Sequence, residues 1–140
     1  MNESGHLEIA GCDVLELARE FGTPAYLYAE DDIRARAAEY VRAFSERTTD
    51  FEVIYASKAL PATAAYALLR EEGLSVDVAS GGELHMALAA GFDPARIHLH
   101  GNNKTERELR YAFEVGVGHV VHDSFDEIEL AERLLDRPQR

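Results

Sequence analysis

Short runs of apolar, β-branched and aromatic residues begin at Phe51 (FEVIYA), Leu74 (LSVDV), Ile97 (IHLH) and His119 (HVVH), at intervals of 23, 23 and 22 residues. The period is regular although the residues themselves do not repeat. Each run has the length of a strand, and each is followed by a helix signal. After the first run, Pro61 suits an early helical position, and Ala64, Ala65, Leu68 and Leu69 fall on one face. After the second, Ser80-Gly81-Gly82-Glu83 has the form of a capping box, in which a side-chain oxygen takes a free backbone N–H and the glutamate reaches back. That helix is expected to stop near Gly91. Thr105–Glu108 and Ser124–Glu127 repeat the signature after the third and fourth runs, with Gly116 as the stop of the third helix.

The pattern from residue 51 is therefore βαβαβαβα, which implies a parallel sheet with helices packed outside it. An open doubly wound sheet usually shows a glycine fingerprint in its first β–α turn, and Ser57-Lys58-Ala59-Leu60-Pro61 has none. A TIM-type (β/α)8 barrel needs about 250 residues, so four units would supply about its first half. Upstream, residues 13–21 (DVLELAREF) read as a short helix ending at Gly22, residues 23–28 (TPAYLY) as a strand, and Asp31 or Asp32 as the cap of a longer helix to about Ser45. The expected organisation is an N-terminal segment, 1–50, and four β/α units, 51–140.

Alternation along a strand sends neighbouring side chains to opposite faces. Val76, Val78, Ile97 and Leu99 are expected to meet the helices. Glu52, Lys58, Ser75, Asp77, His98 and His100 then share the other side, and the fourth strand is ambiguous. A sealed interior would carry Val, Ile and Leu, and buried charges are costly unless paired or used. Lys58, Asp77 and His100 fall at the C-terminal strand ends, where barrel enzymes place their chemistry. Ala56, two residues before Lys58 on the same face, is small and leaves space beneath the amine. A lysine in an enclosed site can act as a free amine and form a Schiff base. A plain Lys58–Asp77 ion pair is the competing reading, and the residues alone leave the two open.

Composition narrows the function classes. The 140 residues carry 14 Lys plus Arg against 26 Asp plus Glu, a net charge of −12, which disfavours nucleic acid or an anionic membrane as partner. No apolar run is long enough for a membrane span, and no basic, apolar leader is evident at the start. The single cysteine, Cys12, has no internal disulfide partner; it reads as a packing residue in a cytoplasmic protein. His98 and His100 are spaced as two metal ligands could be, but nothing completes a ligand set, so no metal is expected. Gly81-Gly82 reads as a tight turn, with a phosphate cradle as the weaker alternative.

YASKA (55–59), VDVASGGEL (76–84), AGFDPARIHLHGNNKTERELRYA (90–112), FGTPAYLY (21–28) and Asp123-Ser124 together resemble the diaminopimelate decarboxylases. These belong to the alanine-racemase-like, fold-type III pyridoxal-phosphate enzymes. The resemblance runs over about residues 21–135. It implies a (β/α)8 barrel with a separate β-domain, and a strand in the N-terminal segment, 1–50, that would pair with that β-domain. It implies pyridoxal 5′-phosphate held through Lys58 as a Schiff base, with Ala56 and Asp77 near the cofactor. The reaction implied is decarboxylation of meso-diaminopimelate to L-lysine and CO2, by a homodimer. The alternatives are a related decarboxylase acting on arginine, ornithine or a carboxylated polyamine, or a truncated non-catalytic relative. The family's glycine-rich phosphate loop, ring-stacking histidine and pyridine-nitrogen acid have no counterpart in these residues, so the chain alone is expected to be inactive.

Overall fold

The computed structural model describes residues 1–139; Arg140 lies outside them. A small antiparallel hairpin, β1 (Glu8–Ile9) and β2 (Cys12–Asp13), leads into α1 (Val14–Phe21) and then α2 (Glu30–Ser45). Four β/α units follow. They are β3 (Ile54–Ala56) with α3 (Thr63–Glu71), β4 (Ser75–Val78) with α4 (Gly81–Ala89), β5 (Ile97–Leu99) with α5 (Glu106–Val115), and β6 (His119–Val120) with α6 (Phe125–Leu134). The strands form one parallel sheet in the order β3-β4-β5-β6. Neighbours in sequence are thus neighbours in space. A doubly wound sheet reverses its strand order, so the sequential order is that of consecutive barrel units.

Caps explain where the helices begin. Thr105 Oγ1 accepts from the Glu108 N–H while the Glu108 carboxylate accepts from the Thr105 N–H, a complete capping box. Ser80 and Ser124 likewise accept from the N–H groups of Glu83 and Glu127. There, however, the glutamates reach one residue further back, to the N–H groups of Ala79 and Asp123. Gly116 ends α5 in the left-handed conformation, at φ 78°, where a side chain would be strained.

The helix-facing residues of the sheet form the core. Val76, Val78, Ile97 and Leu99 are fully buried and pack with Tyr66, Leu84, Leu109 and Ala112. Each large aliphatic side chain buried this way stabilises the fold by about 1.5–3 kcal/mol. A smaller cluster of Ala37, Leu69 and Leu74 seats α2 against α3. Arg34 ties the same two helices, donating to Glu30, Glu71 and Glu72. The loop before β6 closes tightly, since Gly118 lies so near the Ala95 carbonyl that a Cβ has no room.

Residues 23–28 pair with no strand among the described residues, since the partner expected for them belongs to a separate β-domain; Tyr26 and Tyr28 are exposed there. Other sequence expectations are corrected. Neither Asp31 nor Asp32 caps α2. Both lie in its first turn, where their charge favours the positive helix end, and Ala29 holds the cap position. The buried face of α3 is Ala65, Tyr66 and Leu69 rather than Ala64 and Leu68, since the helix starts only at Thr63. Cys12 is exposed on β2 and is not a packing residue. No helix among the described residues is long and apolar enough to cross a membrane.

Candidate active site

The parallel register places Ala56 opposite Asp77, Asp77 opposite His98, and His98 opposite His119. One row of side chains therefore crosses the whole sheet on the side away from the helices. This settles the fourth strand, with His119 on the polar side and Val120 in the core. The rings of His98 and His119 stack with centroids 4.4 Å apart. His119 Nδ1 is buried and has no hydrogen-bond partner.

Beneath the row, toward the N-terminal strand ends, Glu52 joins Ser75 and His98. The Ser75 hydroxyl donates to the Glu52 carboxylate, and His98 Nε2 lies 3.0 Å from its other oxygen. Arg96 donates from Nε to Ser75 Oγ over 3.0 Å and from its fork to the Gly73 carbonyl over 2.6 Å. Burial alone would raise the Glu52 carboxyl pKa, but the Ser75 and His98 contacts and the Arg96 charge hold it below the usual range. The expected polar side of the sheet is thus a connected set of charges and hydrogen bonds.

Lys58 sits above the row, at the C-terminal end of β3. The strand ends at Ala56 and the chain turns through a short 3-10 helix, Ser57–Ala59. Strand alternation consequently does not extend to Lys58. Its side chain is exposed and makes no hydrogen bond or ion pair, so no Lys58–Asp77 ion pair exists here. Asp77 is half-buried and His100 is exposed on the loop after β5. Among the described residues no three His, Cys, Asp or Glu side chains gather as a metal site.

Gly81-Gly82 does not offer a phosphate cradle. The free N–H of Gly81 at the start of α4 is taken by Glu108 Oε1 at 2.9 Å, and a Cβ on Gly81 would stand 3.2 Å from Glu108 Cγ. The glycine makes room for a carboxylate of the protein itself. The Thr105 and Gly81 backbone N–H groups, the largest influences on it, lower the Glu108 pKa.

A buried ion pair escaped sequence reading. Lys104 Nζ lies 3.0 Å from Glu127 Oε1, with the two side chains 1% and 8% exposed. Strand partners in the sheet are 21 residues apart, so the 22–23-residue repeat brings residues of successive units close together. Lys104 and Glu127 stand 23 positions apart, as Glu52 and Ser75 do.

The family model for the pyridoxal-binding domain of pyridoxal-dependent decarboxylases matches residues 30–139. The chain belongs to the pyridoxal-dependent decarboxylase family. It is 52% identical over 133 residues to the diaminopimelate decarboxylase of Bacillus subtilis, covering 95% of this chain and 30% of that protein. It is 48% identical over 134 residues to the diaminopimelate decarboxylase of Bacillus methanolicus, covering 96% of this chain and 31% of that protein. Among solved structures, diaminopimelate decarboxylase from M. jannaschii in complex with L-lysine superposes with a TM-score of 0.85 at 32% identity, over 96% of this chain and 32% of that one. The chain thus spans about a third of the length of the relatives it matches. The order β3-β4-β5-β6 fits the N-terminal domain of these barrel-containing decarboxylases.

The residues fit the aldehyde end of a pyridoxal cofactor. Lys58 offers an unpaired primary amine at the C-terminal end of the sheet. Ala56, which ends the strand two residues before it, is small, and Asp77 supplies a carboxylate opposite Ala56 in register. At the start of α4 the Glu108 carboxylate already occupies the Gly81 N–H that a phosphate would use.

Proposed function

We propose that this chain is the N-terminal third of a cytoplasmic, homodimeric, pyridoxal-phosphate-dependent decarboxylase that converts meso-diaminopimelate to L-lysine and CO2. In this reading residues 1–50 form the segment that meets a C-terminal β-domain, and residues 51–140 form the first four units of the cofactor-binding barrel. The observation that carries it is the placement of Lys58. An unpaired amine stands at the C-terminal end of the first barrel strand, within residues about 50% identical to diaminopimelate decarboxylases.

Bound pyridoxal phosphate would supply a conjugated ring able to take up the electron pair left on the α-carbon when its bond to the carboxyl group breaks and CO2 departs. The chain's part is positional and electrostatic. Lys58 would hold the cofactor through its Nζ, and as a primary amine it would be able to move a proton near the reacting carbon. Ala56 leaves room under the bound group, and Asp77 places negative charge beside the positive groups that gather there. The row of His98 and His119 beneath provides a polar floor for the site.

The test is a substrate panel with the full-length protein carrying this chain. Lysine and CO2 from meso-diaminopimelate, with ornithine and arginine much poorer, is the expected result. Turnover of ornithine or arginine in preference would assign another substrate. A functional reading frame that stops at Arg140 would favour a non-catalytic relative.

A further inference from the structure

The Lys104 ammonium is almost fully enclosed, and its three donors are all used. It donates to the Gly101 carbonyl at 2.6 Å, to the Val121 carbonyl at 2.6 Å and to Glu127 Oε1 at 3.0 Å. Glu127 Oε2 accepts from the Asp123 N–H at 3.1 Å and meets His122 Nδ1 at 3.2 Å. One ion pair therefore joins the loop after β5 to the loop after β6 and to the start of α6. The loop after β5 is also pressed against the end of β4. Gly101, at φ 103°, lies so close to Ala79 that a Cβ would meet its carbonyl at 3.2 Å. The backbone at the C-terminal rim of three strands is thereby fixed. Yet the side chains of His100, Asn102 and Asn103 on this fixed loop are exposed and bond to nothing. A rigid backbone that presents unpaired imidazole and amide groups is the arrangement that binding sites use, since ordering costs are met before the ligand arrives.

We propose that Lys104, held by Glu127, is a positioning residue that sets the His100–Asn103 loop for hydrogen bonding to the carboxylated amino-acid ligand. This rests on the decarboxylase reading for the ligand class but not for the loop itself. Lys104 touches no ligand in this account; it acts through the two carbonyls it gathers.

Lys104→Met removes the donors and keeps the stem, but leaves Glu127 buried and unpaired. The double variant Lys104→Met with Glu127→Leu removes that penalty. Amide hydrogen exchange in the full-length protein carrying this chain is expected to quicken about tenfold or more at residues 101–104 in both variants. The double variant is expected to recover the thermal midpoint without recovering the loop. In the full-length enzyme the double variant is expected to raise KM about tenfold with kcat within about twofold. Recovery of loop protection together with the midpoint would overturn the proposal by reducing the pair to fold stability, and so would a KM equal to wild type. Absence of any decarboxylation in the wild-type protein would defeat the decarboxylase reading instead, and would leave the exchange result to decide the loop.

Discussion

On the helix side of the four-stranded sheet, Val76, Val78, Ile97 and Leu99 are fully buried, whereas their immediate neighbours Asp77 and His98 on the opposite side remain half-exposed. The same strands, read at alternate residues, build a sealed apolar layer and a polar surface. On the first side packing decides which residues are tolerated. On the second, Glu52, Ser75, Arg96 and His98 satisfy one another, and the row Ala56–Asp77–His98–His119 crosses the sheet. Among the described residues the buried charges are those of the Lys104–Glu127 pair at the rim, where each ammonium donor has an acceptor.

That contrast can be broken in measurable ways. The largest effect is expected at the rim. Glu127→Ala leaves Lys104 buried without its counter-charge, and a loss of about 3–5 kcal/mol is expected in denaturant unfolding. The pH dependence has a definite sign. Burial by itself would raise the Glu127 pKa, but Lys104 and the Asp123 N–H outweigh it, so the folded-state pKa lies below the ordinary glutamate value. The stabilisation is therefore complete above that ordinary value and is lost as pH falls through the folded-state pKa. Thermal midpoints measured from neutral to acidic pH should fall less steeply in Glu127→Gln than in wild type.

Leu99→Ala, in the sealed layer, is expected to cost about 2–5 kcal/mol, read by the same unfolding measurement. A cost below about 1 kcal/mol would mean that the helix side is not the packed core described. Thr105→Ala removes the N-cap of α5 and should cost about 1 kcal/mol. Asp77→Asn, on the polar side, should change stability by less than about 0.5 kcal/mol while weakening pyridoxal phosphate binding by the full-length protein, as cofactor titration would show. An Asp77→Asn variant that unfolds like Leu99→Ala would erase the distinction between the two sides.

Much of the barrel portion was legible because its signals are local. The strands start 21, 22 and 22 residues apart, close to the 22–23-residue period of the sequence, and Thr105, Ser80 and Ser124 mark helix starts within three residues of their glutamates. The register that placed His119 beside His98 depends on pairing between strands, which a two-residue strand does not declare in sequence. Residues 23–28 read as a strand because strand propensity is local while strand formation is not. Lys58 was legible from its place at the end of the first strand and from the motif around it, although the alternation that placed it stops two residues earlier, at Ala56. Lys104 was passed over because a lysine is ordinarily a solvated residue, and its burial depends on two loops closing around it.

The central assignment is a covalent bond between one lysine and an aldehyde. Borohydride reduction of the full-length protein with pyridoxal phosphate, followed by digestion and peptide mass mapping, reads that bond directly. The pyridoxyl group should be recovered on Lys58, in the peptide spanning YASKA. Its recovery on another lysine, or on none, would contradict the account.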